Sequence, residues 1–186
     1  MSATHPALPS NLPLRAGMWL VDTPASSVEF RVKHLGLATV QGRFGEFDGT
    51  LEIVADGAHG GGSVALDSVD SGDALRDEHL RDAGFFDTRR HPRMAFSSRA
   101  VRALGAERVE IAGELGLHGV TAPMTLDARI EPDAAAGREE RVRVSARAQI
   151  SRAAFGLRFH AAGGAGDVTV GDTVKIALEL SLVRVA

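Results

Sequence analysis

The feature that most constrains this chain is an alternation of apolar and polar residues with a period of two. Val174, Ile176, Leu178, Leu180 and Leu182 alternate with Lys175, Ala177, Glu179, Ser181 and Val183. Successive side chains of an extended strand point to opposite faces, so this pattern encodes a strand with one buried and one wet face. It recurs in Val28, Phe30 and Val32 against Glu29, Arg31 and Lys33, in Met124, Leu126, Ala128 and Ile130, and in Val142, Val144, Ala146, Ala148 and Ile150. Further strands are expected near 18–22, 43–55, 62–70, 94–103 and 107–117.

Turn chemistry separates these runs at Asp48-Gly49, Asp56-Gly57, Gly60-Gly61-Gly62, Leu104-Gly105-Ala106 and 132–137. Connections this short join antiparallel neighbours, because a parallel crossover needs a dozen or more residues. One helix is expected over 74–81, capped by Asp73 or Ser71, with a second short turn over 153–156. About eight strands, each apolar on one side, predict an all-β, antiparallel up-and-down barrel with one or two short helices, since closure removes exposed edges. On the inner stripe stand Gly113, Ala128, Ala146 and Ala148. Small residues there either leave room for a ligand or face a close-packed helix or a barrel corner.

A chain of 186 residues suits one domain. The Pro-rich, aperiodic stretch 1–15 reads as a flexible N-terminal arm, with 16–186 as the barrel. With no cysteine there is no disulfide, thiolate site or cysteine nucleophile. A formal charge of −3 gives no footprint for nucleic acid or an anionic membrane. No apolar run reaches the roughly 20 residues needed to span a bilayer as a helix, so no stable membrane insertion is expected. The start lacks a secretory h-region, and a cytoplasmic location is expected.

Seven histidines invite a metal reading, but His34, His79, His91, His118 and His160 lie in separate segments without zinc-site spacing, and no metal or cofactor is expected. Asp77 could orient His79 for acid–base work or pair with Arg81, although no nucleophile motif accompanies them. A helix clamped to the barrel by its polar face and Leu80 is the simpler reading. Phe85, Phe86 and Phe96, and Phe155 with Phe159, form aromatic groups that suit either a core or the walls of an apolar pocket. His34 ends an apolar stripe and could meet a ligand head group or serve as a wall residue. The Gly163-Gly164-Ala165-Gly166 run does not lead from a strand into a helix, so a phosphate-cradling loop is not expected there.

Several blocks resemble, in order, the YceI-like family of polyisoprenoid-binding proteins. They are Trp19-Leu20-Val21-Asp22 with Ser26 through His34; Gly42-Arg43-Phe44-Gly45-Glu46-Phe47-Asp48-Gly49; Leu75-Arg76-Asp77-Glu78-His79-Leu80; and Phe85-Phe86-Asp87 with Pro92 and Phe96. Gly113-Glu114-Leu115 with His118-Gly119-Val120-Thr121, and Ser151-Arg152 with Phe155-Gly156-Leu157, complete the series. The resemblance implies an extended lipocalin-like barrel whose pore takes a long isoprenoid chain or similar amphiphile, without catalysis. Ala25 stands where the family usually has histidine, and many relatives are periplasmic.

The expected function is therefore non-catalytic binding, sequestration or transport of a polyprenyl lipid or isoprenoid quinone. The alternatives are an enzyme acting on an apolar substrate at the barrel mouth and a dry barrel serving as a protein-interaction module. The candidate ligand-binding residues are Phe30, Val32, His34, Phe86, Phe96, Gly113, Leu115, Ala146, Ala148 and Phe155. The expected partner is an apolar small molecule, with a homodimer as the only assembly considered.

Overall fold

The computed structural model describes residues 12–34, 38–55, 57–134, 139–158 and 170–185. Eight antiparallel strands close into a ring: β1 (Gly17–Val21), β4 (Phe47–Val54), β5 (Gly57–Ala65), β7 (Arg93–Ala103), β8 (Arg108–Leu117), β9 (Val120–Pro132), β10 (Arg141–Ser151) and β11 (Val170–Val185). Each pairs with the next in that order, and β1 pairing with β11 completes the circuit. The fold is the lipocalin-like antiparallel barrel.

Three more strands hang from the ring as a flap. β11 is long enough to use one edge twice. Leu182–Val185 pairs with β1, whereas residues from Val170 to Glu179 pair with β2 (Ser27–His34). β2 pairs with β3 (Ala38–Phe44), which pairs at two positions with β6 (Val69–Asp70). Between β1 and β2 the chain makes a 3₁₀ turn at Thr23–Ala25, where Pro24 cannot donate to a ladder. Ser26 manages the hand-over: its hydroxyl donates to the Asp22 carbonyl at 2.7 Å and accepts the Ser181 amide at 2.9 Å. A buried backbone donor is thereby satisfied where β11 changes partners.

Among the described residues, the flap's outer strand, β6, pairs with β3 alone, and helix α1 (Ala74–Arg81) packs beside it. Asp73 caps the helix, its carboxylate accepting the Arg76 amide at 3.1 Å. Arg81 staples the helix to the preceding segment by donating to the carbonyls of Asp67 and Val69. The segment from Asp82 to His91 then folds back, with the Phe86 and Thr88 amides bonded to the Leu80 and Arg81 carbonyls. Together α1 and this segment form a lid.

Two expected turns lie inside strands. Asp48-Gly49 belongs to β4 and Gly60-Gly61-Gly62 to β5, facing each other across one ladder. The glycines serve close approach rather than a turn: a Cβ on Gly62 would stand 2.7 Å from the Asp48 carbonyl oxygen, and one on Gly61 2.7 Å from that of Phe96. The segment expected as one strand over 43–55 is two, β3 and β4, divided after Phe44, where the Gly45 amide turns away to the Ser68 carbonyl. Of the arm, Leu12 is buried and Leu14 packs on the core, and the Arg15 carbonyl accepts the Trp19 indole N–H, so residues 12–15 dock on the barrel.

Inner and outer faces differ sharply. The inner face carries the apolar stripe, and the outer face carries cross-strand ion pairs such as Arg99–Glu114, Arg102–Glu110 and Arg108–Asp127. Exposed pairs like these contribute little stability. A charged exterior around an apolar interior is the reverse of a membrane-spanning barrel, and no helix among the described residues is long and apolar enough to cross a bilayer.

Candidate functional site

The interior is hollow. Two apolar chambers, each of about 210 Å³, lie one behind the other. The first sits between the flap and the lid, against Phe30, Val32, His34 and Val40 on one side and Leu80, Phe85 and Phe86 on the other. The second is enclosed by the ring, against Phe96, Leu115, Leu126, Leu180 and Leu182, with the backbone of Gly60–Gly62 as part of its wall. Val28, Met94 and Ile176 border both. Along β11 the order is continuous, with Val174 in the first chamber, Ile176 at the junction, and Leu178, Leu180 and Leu182 in the second. Those eight residue steps from Val174 to Leu182 correspond to about 26 Å along the strand.

Aromatic residues shape the first chamber. Phe30 and Phe44 have ring centroids 5.5 Å apart, Phe44 and Phe86 6.3 Å, and Phe86 meets Phe85 edge-on at 4.9 Å. This series joins flap to lid. The polar groups on the wall are few. His34 stands half-buried at the end of β2. Arg76 donates to the Ser71 hydroxyl at 2.9 Å and approaches Asp73. Arg152 is buried, donating to the carbonyls of Leu157, Val170 and Gly171 at 2.8, 2.9 and 3.1 Å, and so ties the 3₁₀ turn Ala153–Phe155 to the start of β11. Asp172 reinforces that tie. Its carboxyl is held below the usual carboxylate range by hydrogen bonds from the Ser151 hydroxyl and then the Ala153 amide.

Of the ten residues expected to meet a ligand, six lie on the walls: Phe30, Val32, His34 and Phe86 in the first chamber, and Phe96 and Leu115 in the second. Four do not. Gly113 is covered by a ring, since a Cβ there would stand 2.4 Å from Phe96 and 2.3 Å from the Ser97 carbonyl oxygen. Ala146 and Ala148 are buried beside Leu178 and Ile176, their register partners, and only these longer side chains border a chamber. Phe155 is buried within the turn that packs on β9 and β10. Small inner residues therefore mark where a large neighbour lies, not where the space is. Met94 and the glycine wall of β5 were missed. The phase of Met94 with Phe96 was the available signal.

The acid–base pair considered at the mouth is not assembled. Asp77 is buried, and its carboxylate accepts the Ser71 amide at 2.9 Å, while His79 is exposed; neither borders a chamber. His91 and His118 do meet, with ring centroids 4.9 Å apart, and His118 Nδ1 lies 3.3 Å from the Phe155 carbonyl oxygen. They pin the end of the lid to the β8–β9 turn, where His118 and Gly119 both have positive φ. Among the described residues, no group of three metal-ligating side chains is present. Ala25 is exposed and borders neither chamber, so its difference from the family habit leaves the cavity untouched. His160, Phe159 and the 163–166 run lie outside the described residues.

Comparison with known proteins agrees with this architecture. The model of the YceI-like domain matches residues 19–182. Protein YceI of Escherichia coli is 40% identical over 108 residues, 55% of each chain, so the match spans about half the length of that relative. A UPF0312 protein of Vibrio parahaemolyticus is 35% identical over 136 residues, covering 68% of this chain and 70% of its own. Among solved structures, Burkholderia cenocepacia BcnA superposes with a TM-score of 0.76 at 21% identity, covering 87% of this chain and 98% of its own. A polyisoprenoid binding domain from Saccharophagus degradans gives 0.71 at 18% identity, covering 90% and 98%. These structures share the barrel, and with the match over 19–182 the chain belongs to the YceI-like family.

Proposed function

We propose that this protein is a non-catalytic carrier that holds a polyprenyl lipid or isoprenoid quinone lengthwise in its barrel. The observation that carries this reading is the pair of apolar chambers in line along β11, joined at Val28, Met94 and Ile176. Native interiors are close-packed, so aligned empty space of this size inside a ring of strands points to a guest. Its shape suits a long, narrow one. The likeness to a polyisoprenoid binding domain supports the same class of ligand.

Binding needs no special chemistry. At about 0.8 kcal/mol per buried CH₂, ten buried carbons contribute about 8 kcal/mol before the costs of association are subtracted. The sparse polar groups at the first chamber suit loose head-group selection. Native mass spectrometry of freshly purified protein, followed by organic extraction, tests the reading. The expected result is a prenyl lipid or quinone at up to one per chain. Recovery of empty protein that also takes up no prenol from phosphatidylcholine vesicles would sink it.

A further inference from the structure

Resting on that carrier reading, we propose that Met94 is the length selector of the cavity, the one movable side chain between a chamber open to short chains and a chamber reached only by long ones. Three side chains form the junction: Val28 from β2, Met94 from β7 and Ile176 from β11. Val28 and Ile176 are β-branched and have little rotameric freedom within a strand. Methionine is unbranched, with three rotatable bonds and a polarizable sulfur. Only Met94 can swing aside without moving a strand.

Its neighbours give the swing a direction. Met94 pairs across the ladder with Val64 of β5, on the second-chamber wall, and lies near Leu117 of β8, on the first-chamber wall. Close by on the second-chamber side, β5 presents the bare backbone of Gly60–Gly62 as wall, where the neighbouring strands approach too closely for side chains. The basic groups on the walls, His34, Arg76 and Arg152, all belong to the first chamber. A ligand that keeps its polar end among them and is short enough for one chamber leaves Met94 at rest. A longer tail displaces the thioether and runs on along the glycine wall. Affinity should then rise with length in two stages, the second conditional on residue 94.

The test uses farnesol and solanesol partitioning from phosphatidylcholine vesicles into the full chain, with Met94→Trp to block the junction and Met94→Phe to narrow it. For Met94→Trp the expected result is a solanesol affinity that falls on the order of tenfold or more further than the farnesol affinity, because the long tail loses its apolar burial beyond the junction. Met94→Phe should move the same ratio in the same direction by less, and it carries the test if the larger side chain prevents folding, as checked by thermal melting. Equal weakening of both prenols in the folded variants, or no change in either, would overturn the assignment while leaving the carrier reading intact. Failure of the parent protein to take up either prenol would overturn both.

Discussion

The two chambers border the same three residues yet are built from different materials. The second lies inside a ring of paired strands, so its walls are held by strand ladders. The first is bordered by the flap and by the ends of ring strands, but its remaining side is an eight-residue helix and a folded-back segment held by Arg81, Thr88 and the His91–His118 contact. Strand ladders make the second chamber part of the global fold. The first can open by a local event, because its lid depends on few buried apolar contacts. A rigid inner chamber behind a separable outer one suits a carrier that must both hold and release its guest.

Four substitutions bear on that contrast. The largest effect is expected for Trp19→Ala. Trp19 is fully buried inside the ring one inward position beyond Val21, a second-chamber residue, and removing it should cost about 3–5 kcal/mol in denaturant unfolding. The loss should appear at every probe together. Separate transitions for ring and lid would show that Trp19 holds only a local layer.

Leu80→Ala comes next. Leu80 is the buried apolar residue of α1 and faces the first chamber, and its loss should cost about 2–3 kcal/mol, felt mainly by the lid. Hydrogen exchange should speed up across 74–92 while the ring strands stay protected. Equal loss of protection in β9 and β10 would erase the distinction between the chambers.

The smallest effects come from two glycines, each beneath a phenylalanine. Gly113→Ala, beneath the second chamber's Phe96, drives a Cβ to 2.3 Å from the Ser97 carbonyl oxygen, a backbone atom fixed in the ladder, and should destabilise by about 1–3 kcal/mol. Gly42→Ala meets chiefly the tip of the Phe30 ring, at 2.4 Å, and that ring borders the open first chamber. It should cost less in stability and more in prenol binding as Phe30 is pushed inward. The reverse order in an unfolding and binding comparison would mean that the first chamber is the less yielding of the two.

The same contrast governs how much could be read beforehand. Strands of the ring announce themselves because one face is buried and the other wet, as in β9, β10 and β11. The α1 helix was equally plain from its Asp73 cap and Arg-rich, weakly apolar sequence. β5 was not, because Gly57-Ala58-His59-Gly60-Gly61-Gly62 has almost no side chains to alternate; its strand character comes from the backbones of β4 and β7 on either side. The cavity was legible as an expectation, but for an incomplete reason. Gly113 looked like empty space, and only the pairing of β7 with β8 brings Phe96 over it. A pair so formed belongs to the tertiary structure, and no single-strand pattern contains it.

The hand-over on β11 also bears on how the chain reaches this state. The ring closes only where β1 meets the far end of β11, partners separated by nearly the whole described sequence, such as Met18 and Val185. Until that pairing forms, β1 has one ladder instead of two and the inner stripe is open to water. Loop-closure entropy is spent before this contact returns anything, which places the fold among slow, non-local β topologies with refolding times of roughly milliseconds to seconds. During that interval the half-open sheet is both an aggregation hazard and a broad apolar trough. A prenyl chain present at that moment would be enclosed as the barrel shuts, reaching the inner chamber without passing the junction at Met94.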